Sequence, residues 1–432
     1  MSALLERLFR LREHGTSARR ELLAGLSTFL AMAYITVVNP GILSTAGMDF
    51  GAVFVATCLA AAIGSGVMGL YANYPVAQAP GMGQNAYFTF GVVLGMGHSW
   101  QSALGAVFIA GLIFIVLSVL PIREWLINAI PRSLKLGISA GIGFFLGIIA
   151  LSGSGVVVAD EATLVRLGDL TAAPAIFMLL GFVLIAALSA RRVVGAVVIG
   201  MLAVTALGWT TGAAEFRGVL SAPPAMGTLL QLDIAAALDL SMVTVILTLL
   251  LVDVFDTAGT LVGVASRAGM LDERGHLPRL RRALLSDSSA TAVGALLGTS
   301  STTSYIESAA GVEAGGRTGL TALTVAVLFL LCLFIAPLAQ SIPAFATGAA
   351  LLFVATIMAR ALQDLDWADA GESAPAVVTA LAVPLSYSIA DGIGLGFISY
   401  ALVQLVAGRA AHCPPAVYAV ALVFVLKFAF LS

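Results

Sequence analysis

The sequence predicts an all-α protein that crosses a membrane about fourteen times, and its composition and apolar runs support this prediction. Hydrophobic residues make up 60% of the 432 residues and charged residues only 10%. Soluble domains carry about 25% charged residues, so this chain lacks the polar side chains that an aqueous surface requires. Apolar runs of about 20 residues, enough to span a bilayer as a helix, recur along the chain. Because these runs are continuous rather than alternating, helices are favoured over barrel strands.

The apolar runs that predict the spans follow one another from residue 22 onward. Their approximate bounds are 22–44, 51–71, 76–96, 102–120, 133–153, 173–189, 193–213, 240–264, 284–299, 302–314, 318–336, 343–361, 374–408 and 414–431. The run 374–408 is interrupted near Ala390-Asp391-Gly392. The chain therefore has fourteen spans if this run is one broken segment, and fifteen if it is two.

The distribution of Lys and Arg predicts a cytoplasmic N-terminus, because cytoplasmic loops are enriched in these residues. Basic residues occur in the N-terminal segment, in the loops 121–135 and 266–282, and at 191–192, whereas the stretch 160–169 is acidic. The basic residues are Arg7, Arg10, Arg12, Arg19, Arg20, Arg123, Arg132, Lys135, Arg191, Arg192, Arg267, Arg274, Arg279, Arg281 and Arg282. The N-terminus has no cleavable signal pattern. We therefore expect a multi-pass protein of the inner membrane.

The third and tenth runs begin with residues that disfavour a helix. Residues 74–85 include two prolines and two glycines, and residues 298–307 are rich in Gly, Ser and Thr. The two segments lie about half a chain apart and seven spans separate them, so they would cross the membrane in opposite directions. This arrangement is typical of an inverted repeat in which two broken helices meet near the membrane midplane.

Broken backbone inside a bilayer must line a cavity enclosed by protein, since no lipid can satisfy its N–H and C=O groups. Half-helices that begin there point their positive N-terminal ends and free N–H groups at that cavity. A planar ligand with ring nitrogens and a carbonyl group suits such donors. The alternative is that the Gly and Pro residues are kinks for close helix packing. The matched pair of segments favours the cavity.

Three of the acidic residues within the predicted spans are candidates for function. Asp253 and Asp256 are three residues apart on one face of the eighth span, and Glu307 follows the break in the tenth. A charge at the bilayer centre costs about 3 kcal/mol on insertion scales, so such residues are functional by default. Burial favours the protonated carboxyl group, which makes all three candidate proton carriers. For Asp253 the alternative is a structural acid bonded to neighbouring hydroxyl groups.

Asn85 completes the candidate set, because its amide offers both hydrogen-bond donors and acceptors. The two breaks are expected to bring it near Glu307. The alternative is that Asn85 caps the half-helix.

Other classes of protein are disfavoured by what the spans contain. The sequence has no residues at metal-ligand spacing and no phosphate-binding Gly-Lys-Ser/Thr loop. We therefore expect that the protein binds no metal or cofactor and is not an enzyme. A net charge of −2 does not suggest a nucleic-acid partner. A channel or a structural membrane protein is a further alternative. The two helix breaks and the acidic residues near them favour a transporter that works by alternating access. The cysteines are interpreted as packing residues and the histidines lie at span ends or in loops: Cys58, Cys332 and Cys413, and His14, His98, His276 and His412.

Five sequence motifs are spread along nearly the whole chain, in the same order as in one known family. They are Ala79–Phe88, Thr28–Ile35 with Val38-Asn39-Pro40, Phe255-Asp256-Thr257, Ser301–Val312 running on to Gly315–Gly319, and Tyr387–Gly392. Together they resemble the AzgA-like purine permeases, a branch of the nucleobase–cation symporters. The resemblance implies a fold like that of the uracil permeases, with two inverted repeats of seven spans.

The resemblance also implies a division into two domains. Residues 1–120 (spans 1–4) and 239–340 (spans 8–11) would form a core domain. Residues 121–238 (spans 5–7) and 341–432 (spans 12–14) would form a gate domain. Such proteins commonly dimerise through the gate domain and move the core domain like an elevator.

The resemblance implies which residues of this chain would bind a base. Asn85, Asp256 and Glu307 match the base-binding positions, and Gly83 and Thr260 lie beside them. Further lining residues are Phe88, Tyr305 and Ile306. The expected function is proton-coupled symport of a purine, with guanine and hypoxanthine ahead of adenine, and membrane lipid as the surrounding partner. The alternative is a carrier of the same fold for uracil, xanthine or an inorganic anion, although two cavity acids would repel an anion.

Overall fold

A computed structural model describes residues 2–120, 130–271 and 277–430. Nine helices in these ranges are long and apolar enough to cross a membrane, and three further apolar helices are shorter. The prediction of an all-α, multi-pass membrane protein is therefore confirmed. Two residues used to predict the orientation, Arg123 and Arg274, lie outside the described residues, as does His276.

The first half of the described chain contains nine helices and three short strands. They are α1 (Ser2–Phe9), α2 (Ala18–Met32), α3 (Ile35–Thr45), α4 (Phe50–Val67), β1 (Gln78–Pro80), α5 (Met82–Ala86), α6 (Trp100–Val119), α7 (Arg132–Gly153), β2 (Val157–Asp160), β3 (Leu164–Leu167), α8 (Ala173–Ala190) and α9 (Ala196–Thr211). Wider π-helical turns continue α4 over Met68–Ala72 and α5 over Tyr87–Gly95.

The second half contains ten helices and one strand. They are α10 (Ile234–Ala237), α11 (Val243–Arg267), α12 (Leu280–Leu297), β4 (Thr302–Ser304), α13 (Ser308–Glu313), α14 (Gly319–Cys332), α15 (Ala336–Gln340), α16 (Ala344–Ala359), α17 (Ala370–Leu385), α18 (Ile389–Val406) and α19 (Pro415–Phe430). Short 3-10 turns lie at Leu240–Met242, Leu333–Ile335, Arg360–Asp364 and Ala410–His412.

The helices pack mainly within two groups. In one group, α7 packs against α16 and α17, and α8 and α9 pack on α16. In the other, α4 packs against α3, α12 and α14, and α6 packs against α11 and α12. Small residues allow close approach in both groups: a Cβ atom added at Gly137 would lie 2.6 Å from the carbonyl oxygen of Ala376, and one at Gly69 would lie 2.5 Å from that of Gly319.

The interrupted run 374–408 forms two helices that fold back on each other. Gly392 in α18 lies against Val383 in α17, and Gly396 lies against Thr379. Because the residue numbers rise on one helix as they fall on the other, α17 and α18 are antiparallel. The final helix α19 packs on α18, where Lys427 is 2.6 Å from the Asp391 carboxylate and its side chain is only 11% exposed.

Candidate functional site

The two segments predicted to be broken meet as a pair of short antiparallel strands. β1 pairs with β4, with Gln78 opposite Ser304 and Pro80 opposite Thr302. The pairing is extended on both sides by hydrogen bonds from Gly81 N–H to the carbonyl of Ser301 (2.8 Å) and from Tyr305 N–H to the carbonyl of Ala77 (3.0 Å). The strands satisfy backbone groups that a helix break would otherwise leave unpaired inside the bundle. Both predicted breaks are thus present.

Each strand leads into a short half-helix. α5 begins at Met82 after Gly81, whose backbone is extended (φ −71°, ψ 131°), and α13 begins at Ser308 directly after Glu307. Asn85 is the fourth residue of α5 rather than the residue before it. Its interpretation as a helix cap is therefore wrong, because the cap position belongs to Gly81, which has no side chain to accept a hydrogen bond.

Glu307 lies at the junction of the second strand and its half-helix. Its Oε1 accepts a hydrogen bond of 2.6 Å from the hydroxyl of Tyr34, which lies between α2 and α3. Glu307 is half-buried and the preceding Ile306 is 41% exposed. Tyr305 is buried, and its hydroxyl donates to the carbonyl of Pro80 in the first strand. Tyr305 thus holds the two broken segments together.

Helix α11 brings the other two predicted acids to the broken segments. Asp253 is buried and accepts hydrogen bonds from Thr291 Oγ1 (2.8 Å) and from Gln84 Nε2 of the first half-helix (3.2 Å). Asp256 and Thr260 are half-buried, one and two turns further along the helix. The next turn contacts the second broken segment, since a Cβ atom at Gly263 would lie 3.7 Å from Ile306 Cδ1.

A fourth acid, Asp287 of α12, belongs to the same region and was not among the predicted residues. It is fully buried and accepts hydrogen bonds from Thr257 Oγ1, Ser304 Oγ (2.7 Å) and Gln78 Nε2 (2.9 Å). Asp287 therefore joins α11 and both paired strands. The signal that identified Asp253, an acid inside an apolar run, applies equally to Asp287 within the run 284–299.

Asn85 and Phe88 are both fully buried. Asn85 Nδ2 donates to Asn39 Oδ1 (3.0 Å), and Asn39 Nδ2 donates to Thr57 (2.7 Å) and Thr299 (2.8 Å). Among the described residues, nothing bonds to Asn85 Oδ1, although that atom is buried. A buried acceptor without a partner is costly, so this oxygen is available to a ligand. Phe88 is 0% exposed and forms part of the apolar core.

Gly83 is a point of close approach between the first half-helix and α7. A Cβ atom at Gly83 would lie 2.4 Å from Ile142 Cγ2, far inside a normal contact. The same boundary carries an edge-on contact between the rings of Phe90 and Phe145, with centroids 6.3 Å apart. Lys135 of α7 also lies 5.6 Å from the centre of the Phe255 ring, next to Asp256.

Two surface cavities lie away from these acids. One, of about 380 Å³, is lined by residues of the 212–217 and 340–343 segments. The other, of about 330 Å³, lies between the N-terminal segment and the start of α12. Within residues 2–120, 130–271 and 277–430, no group of three His, Cys, Asp or Glu side chains is arranged to hold a metal ion.

The paired broken segments and the surrounding helices have the architecture of membrane transporters. The transmembrane domain of the bicarbonate transporter BicA from a cyanobacterium superposes with a TM-score of 0.67 at 17% sequence identity, over 87% of this chain and 96% of that chain. SLC26A9 gives a TM-score of 0.66 at 12% identity, over 90% of this chain and 65% of that chain. At such low identity the similarity defines the fold alone. It confirms the predicted class of fold, whereas the count of fourteen spans and the inverted repeat stay predictions.

The family follows from sequence comparison. Residues 19–395 match the model of the permease family Xan_ur_permease, and the protein belongs to this family, as its motifs predicted. It is 48% identical to the adenine permease AdeP of Escherichia coli (strain K12), over 99% of this chain and 97% of AdeP. It is 44% identical to the guanine/hypoxanthine permease PbuO of Bacillus subtilis (strain 168), over 97% of this chain and 99% of PbuO. The protein is a permease and not an enzyme.

Proposed function

We propose that this protein is a symporter that carries a purine nucleobase together with a proton. The observation that carries the proposal is the position of Glu307, a carboxyl group held by Tyr34 at a helix break inside the membrane bundle. Relatives that match over their full length at 44–48% identity are named as adenine and guanine/hypoxanthine permeases, which indicates the substrate class.

The base would bind between α11 and the two half-helices. Glu307 and Asp256 would accept hydrogen bonds from the N–H edge of the purine, with Thr260 and Ile306 beside them. Carboxylates form strong hydrogen bonds with such donors. Gly83 allows the first half-helix to pack closely against Ile142. The free backbone N–H groups at the start of this half-helix would bind ring acceptors of the base.

Asn85, Tyr305 and Phe88 complete the proposed binding region. Asn85 would turn its unpaired Oδ1 to the base. Tyr305 would form part of the wall, and Phe88 would support it from within the core.

The coupling proton would be carried by one of the carboxyl groups at this site. Glu307 and Asp256 are the first candidates because both are only half-buried, so that their carboxyl groups would be more accessible to protons than the buried Asp253. Asp253 is the third candidate, although its bonds to Thr291 and Gln84 also suit a structural acid. Neutralising a carboxylate lowers the cost of moving the site through the apolar bundle, so a protonated, loaded core would cross most readily.

Movement would follow an elevator mechanism between a core domain (1–120 and 239–340) and a gate domain (121–238 and 341–432). The two groups of packed helices support this division. Gly83 and Lys135 then mark contacts between the domains, at Ile142 and Phe255 respectively. The gate domain would also form a homodimer. The N-terminus would be cytoplasmic and the membrane the inner membrane, as the basic loops indicate.

Guanine and hypoxanthine are proposed ahead of adenine. Guanine presents its N1–H and its amino group side by side, which suits one carboxylate accepting two hydrogen bonds. Hypoxanthine keeps the N1–H, whereas N1 of adenine is an acceptor. Uracil and xanthine are the alternative cargoes, and an inorganic anion is disfavoured because Asp256 and Glu307 would repel it.

Uptake competition tests the substrate assignment. Cells lacking their own purine permeases would express this protein, and uptake of radiolabelled hypoxanthine would be measured with an excess of guanine, adenine, xanthine, uracil or bicarbonate. Guanine should compete most strongly, adenine less, and bicarbonate not at all. Competition by uracil alone would overturn the purine assignment while leaving the fold unaffected.

A further inference from the structure

The surface cavity of about 330 Å³ lies outside the proposed base site. Among the described residues, its lining includes the basic residues Arg10, His14 and Arg279, together with Glu13 and Tyr74. We propose that this cavity binds the phosphate group of an anionic ligand, and that the ligand is the headgroup of an acidic membrane lipid. The volume lies within the range of small-ligand sites.

Arg279 is held in position from three directions. Its guanidinium group lies 4.8 Å from the centre of the Tyr74 ring, a cation–π contact. Its backbone N–H donates to the Tyr74 hydroxyl (3.1 Å), and its Nη2 donates to the carbonyl of Asn73 (3.4 Å). Tyr74 itself is only 2% exposed. A guanidinium group fixed in this way loses little freedom when it binds phosphate, and its planar donors suit phosphate oxygens.

The N-terminal segment that completes the cavity is fastened to the helix bundle. Phe9 and Leu11 pack with Leu320 in a separate apolar cluster. Asn73 Nδ2 donates to the carbonyl of Phe9 (3.2 Å), and Asn73 Oδ1 accepts from the N–H of Gly319 (2.7 Å). The segment is therefore docked rather than loose, and the basic residues that follow Phe9 are held near Arg279.

A turn after Phe9 brings the second and third basic groups to the cavity. Arg10 has a φ of 52°, in the left-handed region that non-glycine residues occupy infrequently. The turn is closed by a hydrogen bond from the N–H of His14 to the carbonyl of Arg10 (3.2 Å). Glu13 pairs with Arg10 at 3.5 Å, but both side chains are more than half exposed. Such a pair is weak, so a phosphate group can replace the carboxylate.

The surroundings of the cavity favour a lipid as the source of the phosphate. Helix α1 exposes Leu4 (61%) and Leu8 (50%) next to the basic residue Arg7. A helix with exposed apolar and basic residues is suited to the membrane surface, where its apolar side enters the lipid. Basic pockets between membrane helices on the cytoplasmic side bind acidic headgroups. The cavity lies at the bundle end that the basic residues assign to the cytoplasm.

Titration of the purified full-length protein with dihexanoylphosphatidylglycerol tests the proposal, with dihexanoylphosphatidylcholine as the zwitterionic control. Arg279→Gln should weaken phosphatidylglycerol binding at least about tenfold, as expected for loss of a charged hydrogen bond. The matched control is Arg281→Gln, which removes the same charge from an exposed position two residues away that does not line the cavity. It should change binding less than about twofold.

A second variant and a second probe test the lipid-headgroup assignment independently. Arg10→Gln combined with His14→Gln should reproduce the loss without altering the contacts of Tyr74. Inorganic phosphate is titrated in parallel, and tighter binding of the lipid would support the headgroup assignment. If phosphate binds as tightly as the lipid, with the same dependence on Arg279, the phosphate site is supported and the lipid assignment is overturned. Equal losses in Arg279→Gln and Arg281→Gln, or binding of neither probe, would overturn the site itself.

Discussion

The Tyr34 hydroxyl donates a hydrogen bond of 2.6 Å to Glu307 Oε1, across a separation of 273 positions in the chain. It joins the first membrane segment to the second broken segment at the point where strand β4 gives way to helix α13. The bond fixes one oxygen of a carboxyl group that would otherwise be costly inside the bundle. It gives the acid at this position a hydrogen-bond donor, and it places that acid near α11.

Replacing Glu307 by Gln should abolish purine uptake and leave the protein folded and inserted. The amide oxygen can still accept the hydrogen bond from Tyr34, whereas the negative charge and the exchangeable proton are lost. Uptake of radiolabelled hypoxanthine would be measured at matched expression. The control is Glu313→Gln at the far end of the same half-helix, where an exposed carboxylate pairs with Arg267 at 3.3 Å. Near-normal uptake by Glu307→Gln would remove Glu307 from the mechanism.

Gly83→Ala should impair transport because the new methyl group would overlap Ile142 Cγ2, 2.4 Å away. Overpacking of this kind costs about 1–3 kcal/mol, so we expect uptake to fall at least about fivefold. Ile142→Ala should restore most of it in the double variant, since it removes the overlapping atoms. Gly41→Ala is the control, because nothing lies within 4 Å of its added Cβ atom. No recovery in the double variant would contradict the proposed contact between core and gate.

Asn85→Ser should weaken purine binding and change the order of competing bases. Serine cannot present a donor and an acceptor in one plane, and an unpaired buried group costs about 1–3 kcal/mol, so affinity should fall about tenfold. Asn39→Ser serves as the comparison because it disrupts the same hydrogen-bonded network, including the bond from Asn85 Nδ2, but keeps the Asn85 side chain itself. Binding would be measured on purified protein for guanine, hypoxanthine and adenine. Equal losses for all three bases in both variants would assign Asn85 a purely structural role.

Asp287→Ala should lower the thermal stability of the purified protein markedly, whereas Asp287→Asn should lower it much less. Alanine removes the buried acceptor that Thr257, Ser304 and Gln78 share, at a cost of about 1–3 kcal/mol for each group left unpaired. Asparagine keeps one oxygen, and the hydroxyl groups can rotate to accept from its amide. The control is Ser286→Ala, since the buried hydroxyl of Ser286 bonds to no described residue. An unchanged melting temperature for Asp287→Ala would contradict this structural role.

The sequence was sufficient for the membrane class, the two breaks and the family. Long apolar runs predict membrane helices, and clusters of Gly, Pro, Ser and Thr predict helix breaks. Both depend only on neighbouring residues, so a single sequence is enough to recognise them. The register that places Gln78 opposite Ser304, and the bond between Tyr34 and Glu307, depend on contacts over more than 200 positions. The direction of the Asn85 side chain depends on where the half-helix begins, and sequence patterns locate helix ends only to within a few residues.

Transport into proteoliposomes tests the central claim most directly. The purified protein would be reconstituted without nucleotide, a pH gradient (alkaline inside) would be imposed with the membrane voltage clamped by potassium and valinomycin, and the accumulation of radiolabelled hypoxanthine would be followed. We predict accumulation above the external concentration that collapses on addition of a protonophore and is absent from Glu307→Gln. Accumulation that instead follows a sodium gradient and survives the protonophore, or no purine accumulation under either gradient, would contradict proton-coupled purine symport.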